Sequence, residues 1–114
     1  MVADCIFCRI ADGTIPSEKV YENEDVFAFK DIHPVAPTHI IVIPKKHYAT
    51  LNDIPQSEMN VFSKVYSAIQ EVAKKTKVAD TGYRTIINTN RSAGQEVFHL
   101  HFHILGGRPL GTMG

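Results

Sequence analysis

No charge of one sign prevails in this chain: twelve Lys and Arg face twelve Asp and Glu, and the formal net charge is +0 with histidine neutral. Without a positive surplus there is no strong field to draw nucleic acid or an anionic membrane, so neither is expected as a partner. No apolar run approaches the roughly 18 residues of a membrane span, and no charged-then-apolar leader is visible. A cytoplasmic protein is the expectation. Cysteine is scarce, with two residues spaced as Cys5-Ile6-Phe7-Cys8. In an oxidising compartment they could form a strained disulfide; in a reducing one, Cys-x-x-Cys binds zinc or does redox chemistry. The βαβ context of thioredoxin-like redox motifs is missing. Two cysteines do not complete a zinc site either, so any further ligands would have to be histidines. Repeats and linkers are also absent, and 114 residues make a single domain, 1–114. That length supports one hydrophobic core and is short enough to gain from dimerisation.

What is present divides into short strands and two helices. Residues 4–11 predict a short helix with Asp4 as N-cap, Gly13 as stop and Ile6, Phe7 and Ile10 on its apolar side. Tyr21 and Val26-Phe27-Ala28-Phe29 predict two strands joined by a tight turn. Asp31 to Pro37 must be a loop, because Pro34 and Pro37 fit neither a ladder nor a helix interior. His39-Ile40-Ile41-Val42-Ile43-Pro44 is apolar without alternation, which predicts a central strand buried on both faces. From Asp53 the apolar period lengthens to about 3.6, with Met59, Phe62, Val65, Tyr66, Ile69, Val72 and Ala73 on one face. With Asp53 as N-cap, Pro55 early and Gln56 completing a capping box, this predicts one helix of roughly 20 residues ending at Lys74-Lys75. Arg84 to Asn88 is a further strand. The tally of five strands, one long helix and one short N-terminal helix is an α+β fold with a five-stranded antiparallel sheet.

The chain's most unusual stretch is Phe98-His99-Leu100-His101-Phe102-His103-Ile104-Leu105. Three histidines at alternate positions have the period of a strand, which places all three rings on one face and Leu100, Phe102 and Ile104 on the other. On a helix the rings would scatter. Three aligned imidazoles suit metal binding, or nucleotidyl transfer with one neutral ring as nucleophile and a neighbour as proton donor. The plain alternative is a polar strand face.

His99-Leu100-His101-Phe102-His103-Ile104-Leu105 resembles the signature of the histidine triad (HIT) family, and the chain is most similar to its Hint branch of nucleotide-binding proteins. The resemblance extends from about Cys5 to Arg108 through Asp31-Ile32, Ala36-Pro37-Thr38-His39, Ile43-Pro44-Lys45-Lys46-His47, Asn88 and Gly94-Gln95. It implies a HIT-like fold, a homodimer, and hydrolysis of a purine nucleotide such as AMP joined to an amine. Within that pattern His101 is the nucleophile, His103 holds phosphate oxygens and protonates the leaving group, and His39 tunes the triad. Asn88 and the amides near Gly94 and Gln95 bind phosphate, Asp31 the ribose hydroxyls, and Phe7, Ile10, Phe29 and Ile32 the base or sugar. Cys5, Cys8, His47 and His99 would hold a structural zinc, a closed Cys2His2 set, and no catalytic metal is expected.

One departure stands out: some Hint proteins carry serine where this chain has Glu96, and an ionised carboxylate cannot donate a hydrogen bond. Glu96 is therefore left outside the catalytic set. A phosphoramidase is the first functional expectation. Hydrolysis of dinucleoside polyphosphates, nucleotide binding or scaffolding with little turnover, and a catalytic metal site on His99, His101 and His103 are the competing ones.

Overall fold

The computed structural model describes residues 4–114. The elements, in order, are α1 (Ile6–Ala11), β1 (Lys19–Glu22), β2 (Val26–Lys30), β3 (Thr38–Pro44), α2 (Val61–Lys75), β4 (Tyr83–Ile87) and β5 (Phe102–Gly106). The strands form one antiparallel sheet in the order β1-β2-β3-β5-β4. The expected architecture is the observed one. No helix among the described residues is long and apolar enough to cross a membrane.

Strand alternation splits the core in two. Val26, Ala28, Ile40, Val42, Phe102 and Ile104 point to the face covered by α2, whose Val61, Val65, Ala68, Ile69 and Val72 meet them. Phe27, Phe29, Ile41 and Ile43 point the other way and pack with Cys5, Phe7, Cys8 and Ile10 of the α1 region. β3 sits between two neighbours and is buried from His39 to Pro44, as its unbroken apolar run predicts. The candidate site residues lie on the α1 side.

Three expectations need correction. The N-cap of α1 is Cys5, not Asp4: the Cys5 thiol accepts the Cys8 N–H at 3.4 Å while its backbone is extended. Gly13, at φ +86, does follow the helix as its stop. The long helix begins at Val61 rather than at Asp53, because Pro55 forces Ile54 before it into an extended conformation, φ −80 and ψ 120. The residues between form two 3₁₀ turns, Leu51–Asp53 and Gln56–Glu58, and the capping box there pairs Thr50 with Asp53. Tyr66 is half exposed, and Val61 and Ala68 complete the buried stripe instead.

The third correction concerns the histidine stretch, where β5 starts only at Phe102. Its ladder with β3 stops at the Val42–Phe102 pair, because the Pro44 carbonyl accepts the His99 ring N–H at 2.8 Å where a strand backbone would otherwise lie. The Leu100 N–H turns away to the Tyr48 carbonyl at 2.6 Å. Alternation nevertheless survives beyond the ladder. Leu100, Phe102 and Ile104 are all in the α2-side core, while the His99 and His101 rings meet Phe7 of α1.

Candidate active site and cysteine–histidine centre

A cleft of about 530 Å³ opens on the α1 side, lined by residues from six parts of the chain. α1 contributes Phe7, and the loop after β2 contributes Asp31, His33 and Val35. His39 and Ile41 come from β3, Ile86 and Asn88 from β4 and just beyond it, and His101, His103 and Leu105 from the last strand and its approach. Gly94, Glu96 and Val97 form the remaining wall.

Hydrogen-bond partners fix how the rings carry their protons. His101 Nδ1 lies 2.7 Å from the His99 carbonyl oxygen. A carbonyl only accepts, so Nδ1 carries the hydrogen and, in the neutral ring, Nε2 keeps its lone pair. Burial pushes the His101 pKa down despite that hydrogen bond, so the ring is neutral at neutral pH. This is the protonation state of a nucleophile. His39 Nδ1 accepts the Val35 N–H at 3.2 Å, which leaves the proton of neutral His39 on Nε2. That Nε2–H faces His103 Nδ1 at 3.0 Å and Asp31 Oδ2 at 3.4 Å. His103 therefore accepts at Nδ1 and carries its own proton on Nε2. Asp31, His39 and His103 place their ligand-type atoms within 4.8 Å of one another, as metal ligands would. The proton on His39 Nε2 is directed to His103, and the Asp31 carboxylate lies beside that pair.

Burial first, then the neighbouring His101 and His39, holds the His103 pKa at about 4, below the ordinary 6.5. Between those values the unfolded chain binds the proton that the folded one refuses, so stability rises with pH and is lost as pH falls through the window. Going from pH 7 to 5 should cost about 1–2 kcal/mol from this group, allowing for its partial exposure. Urea midpoints at the two pH values, compared between wild type and His103→Asn, measure it; an equal acid loss in both proteins would refute it.

Beside this cleft lies the second histidine cluster. Cys5 Sγ is 3.3 Å and Cys8 Sγ 3.6 Å from His99 Nδ1, and His47 Nδ1 is 3.2 Å from His99 Nδ1 and 3.5 Å from Cys8 Sγ. A tetrahedral zinc with bonds of about 2.3 Å to sulfur and about 2.0 Å to nitrogen would give S···N edges of about 3.5 Å and N···N edges of about 3.3 Å. The three S···N separations and the N···N separation above already match, and all four atoms lie within 4.8 Å of one another. Because His99 Nε2–H is committed to the Pro44 carbonyl at 2.8 Å, its Nδ1 lone pair must face the cluster. Both cysteines are free thiols and buried, and the residues present fit a four-coordinate soft metal. Burial pushes the Cys5 thiol up, so a metal would have to displace a firmly held proton.

Not every expected contact residue reaches the cleft. Phe7, Asp31, His39, Asn88, Gly94, His101 and His103 line it, whereas Ile10 and Phe29 are buried behind Phe7 in the core. Ile32 is 85% exposed and stands outside the lining. Gln95 is buried with its side chain fully engaged, accepting the Asn90 N–H at 2.8 Å and donating to the Ala49 and Val97 carbonyls at 2.8 and 3.1 Å. It braces the loop. The Gly94 and Gln95 amides, expected to meet phosphate, donate to the Arg91 and Asn90 carbonyls at 2.9 and 3.2 Å.

Sequence reasoning missed Val35, Ile41, Ile86, Val97 and Leu105 as lining residues, along with His33. For Ile41 and Ile86 a signal existed, since both pair with His103 across the sheet and so share its face.

The HIT domain profile matches residues 12–110 of the chain. A purine nucleoside phosphoramidase from Escherichia coli K12 is 44% identical over 113 residues, covering 99% of this chain and 95% of that protein. A histidine triad protein from Clostridium difficile superposes with a TM-score of 0.97 at 51% identity, covering 100% of this chain and 99% of the other. A HIT family hydrolase from Legionella pneumophila does so with a TM-score of 0.91 at 42% identity, covering 95% and 96%.

Proposed function

This chain belongs to the HIT domain family, and from that premise we propose that it is a purine nucleoside phosphoramidase, cleaving the P–N bond of an AMP–amine conjugate. The observation that carries this reading is the 2.7 Å hydrogen bond from His101 Nδ1–H to the His99 carbonyl. It leaves a neutral nitrogen lone pair in a cleft, and a neutral attacker is not repelled by the anionic oxygens around phosphorus.

The reaction is two displacements. His101 Nε2 attacks phosphorus and forms a P–N bond to the enzyme. The bond to the amine breaks, and the amine leaves with the proton that His103 carries on Nε2. As that proton departs, the His39 Nε2–H at 3.0 Å stabilises the charge developing on the His103 ring, while Asp31 keeps His39 oriented. Water then attacks phosphorus, returns a proton to His103 Nε2 and displaces His101, releasing AMP. Asn88 donates to a phosphoryl oxygen, Asp31 accepts from ribose, and Phe7 offers an aromatic wall to the nucleoside. The chain acts as one domain, and as a cytoplasmic homodimer.

Zinc is the metal best suited to Cys5, Cys8, His47 and His99. Bound there, it would supply a closed tetrahedral tie with no open position for substrate. The four side chains would then fix α1, and with it Phe7, against the approach to β5.

The test is release of AMP and amine from adenosine 5′-phosphoramidate, with peptide mapping of rapidly quenched enzyme to locate the nucleotidyl group. An adduct on His101 is the expected result. Folded protein that releases no AMP, or an adduct on another residue, would overturn the reading.

A further inference from the structure

The charged side chains of the cleft all have the same sign: Asp31 and Glu96 line it, and among the described residues no Lys or Arg does. The two carboxylates are in different situations. Asp31 is already assigned to the ribose and is held by its own loop, with Oδ1 accepting the His33 N–H at 2.8 Å and Oδ2 3.4 Å from His39 Nε2. Glu96 is exposed at the rim and pairs with none of the described cations. It is the uncommitted charge of the site. It also stands between Gly94 and Val97, which line the cleft with it, so a substituent extending from the phosphoryl group past this wall passes a fixed negative charge.

From this we infer that Glu96 is a specificity-determining residue, selecting nucleoside phosphoramidates whose leaving amine carries a second, cationic group. Diamines and the side chains of basic amino acids have this chemistry. The inference rests on the phosphoramidase reading above and names the leaving group that reading left open. An anionic leaving group, a polyphosphate above all, meets repulsion at the same point with no lysine or arginine in the lining to offset it. A carboxylate is well suited to this task where serine is not: it cannot donate a hydrogen bond, and it acts on charge through solvent over several ångströms. At a solvent-exposed rim the preference should be about three- to tenfold per unit of leaving-group charge, and it should shrink as salt shortens the screening length to a few ångströms.

Three adenosine 5′-phosphoramidates of equal chain length test it: N-butyl, N-(4-aminobutyl) and N-(3-carboxypropyl). With wild type at low salt, kcat/KM should fall in the order aminobutyl, butyl, carboxypropyl, and the spread should narrow in concentrated sodium chloride. Glu96→Gln should bring the three within about twofold of one another, and Glu96→Lys should invert the order. Cleavage of all three by wild type at equal rates, or an order that survives in both variants, would overturn the role of Glu96 and leave the phosphoramidase reading standing. Failure of wild type to cleave any of the three would overturn both. The salt dependence needs no variant, so the inference stays testable if a substituted protein does not fold.

Discussion

His101→Ala should slow AMP release from adenosine 5′-phosphoramidate by about 10⁴-fold or more, with the protein still folded. The size of the loss follows from what the residue does. A side chain that only binds substrate typically contributes one or two powers of ten, whereas an attacking atom forms the bond on which the next step depends. Without it the remaining route is direct attack by water, with no covalent intermediate to split the reaction into two easier steps. His101 is buried against Phe7, with ring centroids 5.1 Å apart, so the alanine variant opens a small void whose cost is a matter of a few kcal/mol in stability. Circular dichroism and a melting curve separate that cost from the chemical one. A steady-state rate within tenfold of wild type would remove His101 as the nucleophile, and the two-displacement mechanism with it.

The second large effect is expected at the cysteines. Protein purified with zinc should contain about one metal per chain, and Cys8→Ser should contain none and melt at least about 10 °C lower. A ligand that binds only the folded state adds its binding free energy to stability, and structural zinc sites bind tightly because thiolates are poor partners for water once buried. Cys8 is fully buried and sits 3.5 Å from His47 Nδ1 and 3.6 Å from His99 Nδ1, so a serine oxygen there is both the wrong size and the wrong softness. Elemental analysis and differential scanning calorimetry with and without chelator make the measurement. Wild-type protein that takes up no zinc from buffered metal, and melts at the same temperature in chelator, would exclude the metal and leave the four residues as a hydrogen-bonded cluster.

The sequence carried most of this architecture because periodicity is a strong local signal. The run from His39 to Pro44 could only be a central strand, and the alternation of Leu100, Phe102 and Ile104 with three histidines named both faces of the sheet. It could not show where the last strand begins. That boundary is set by the His99 ring reaching the Pro44 carbonyl, a contact between residues 55 apart in the chain. The start of α2 was misplaced for the opposite reason, because a strong local pattern of Asp53, Pro55 and Gln56 was overruled by the extended residue that Pro55 imposes at Ile54.

At the site, residue types were legible but proton positions were not. The tautomers of His39, His101 and His103 follow from the Val35 amide and the His99 carbonyl, backbone groups that have no letter in the sequence. Gln95 is a second case. The phosphate contact expected near Gly94 and Gln95 is one of backbone N–H groups, and the structure adds that the Gln95 side chain holds the loop those groups belong to.

His99 belongs to both centres at once: its ring faces the two cysteines and His47, and its backbone carbonyl holds the proton of His101. This has a consequence for genetic dissection. A substitution at position 99 leaves the carbonyl in the chain but releases the ring that fixes where the carbonyl stands, so its phenotype mixes two causes that no assay of that single variant can separate. Cys5, Cys8 and His47 perturb one centre, and Asn88 and His103 the other. Pairwise cycles between these sets report how strongly the two are coupled. Strong non-additivity between Cys8 and His103 that persists when Phe7 is replaced by Leu would point to the His99 backbone as the physical link, and in an interaction map position 99 would then be the hub through which otherwise independent variants become epistatic.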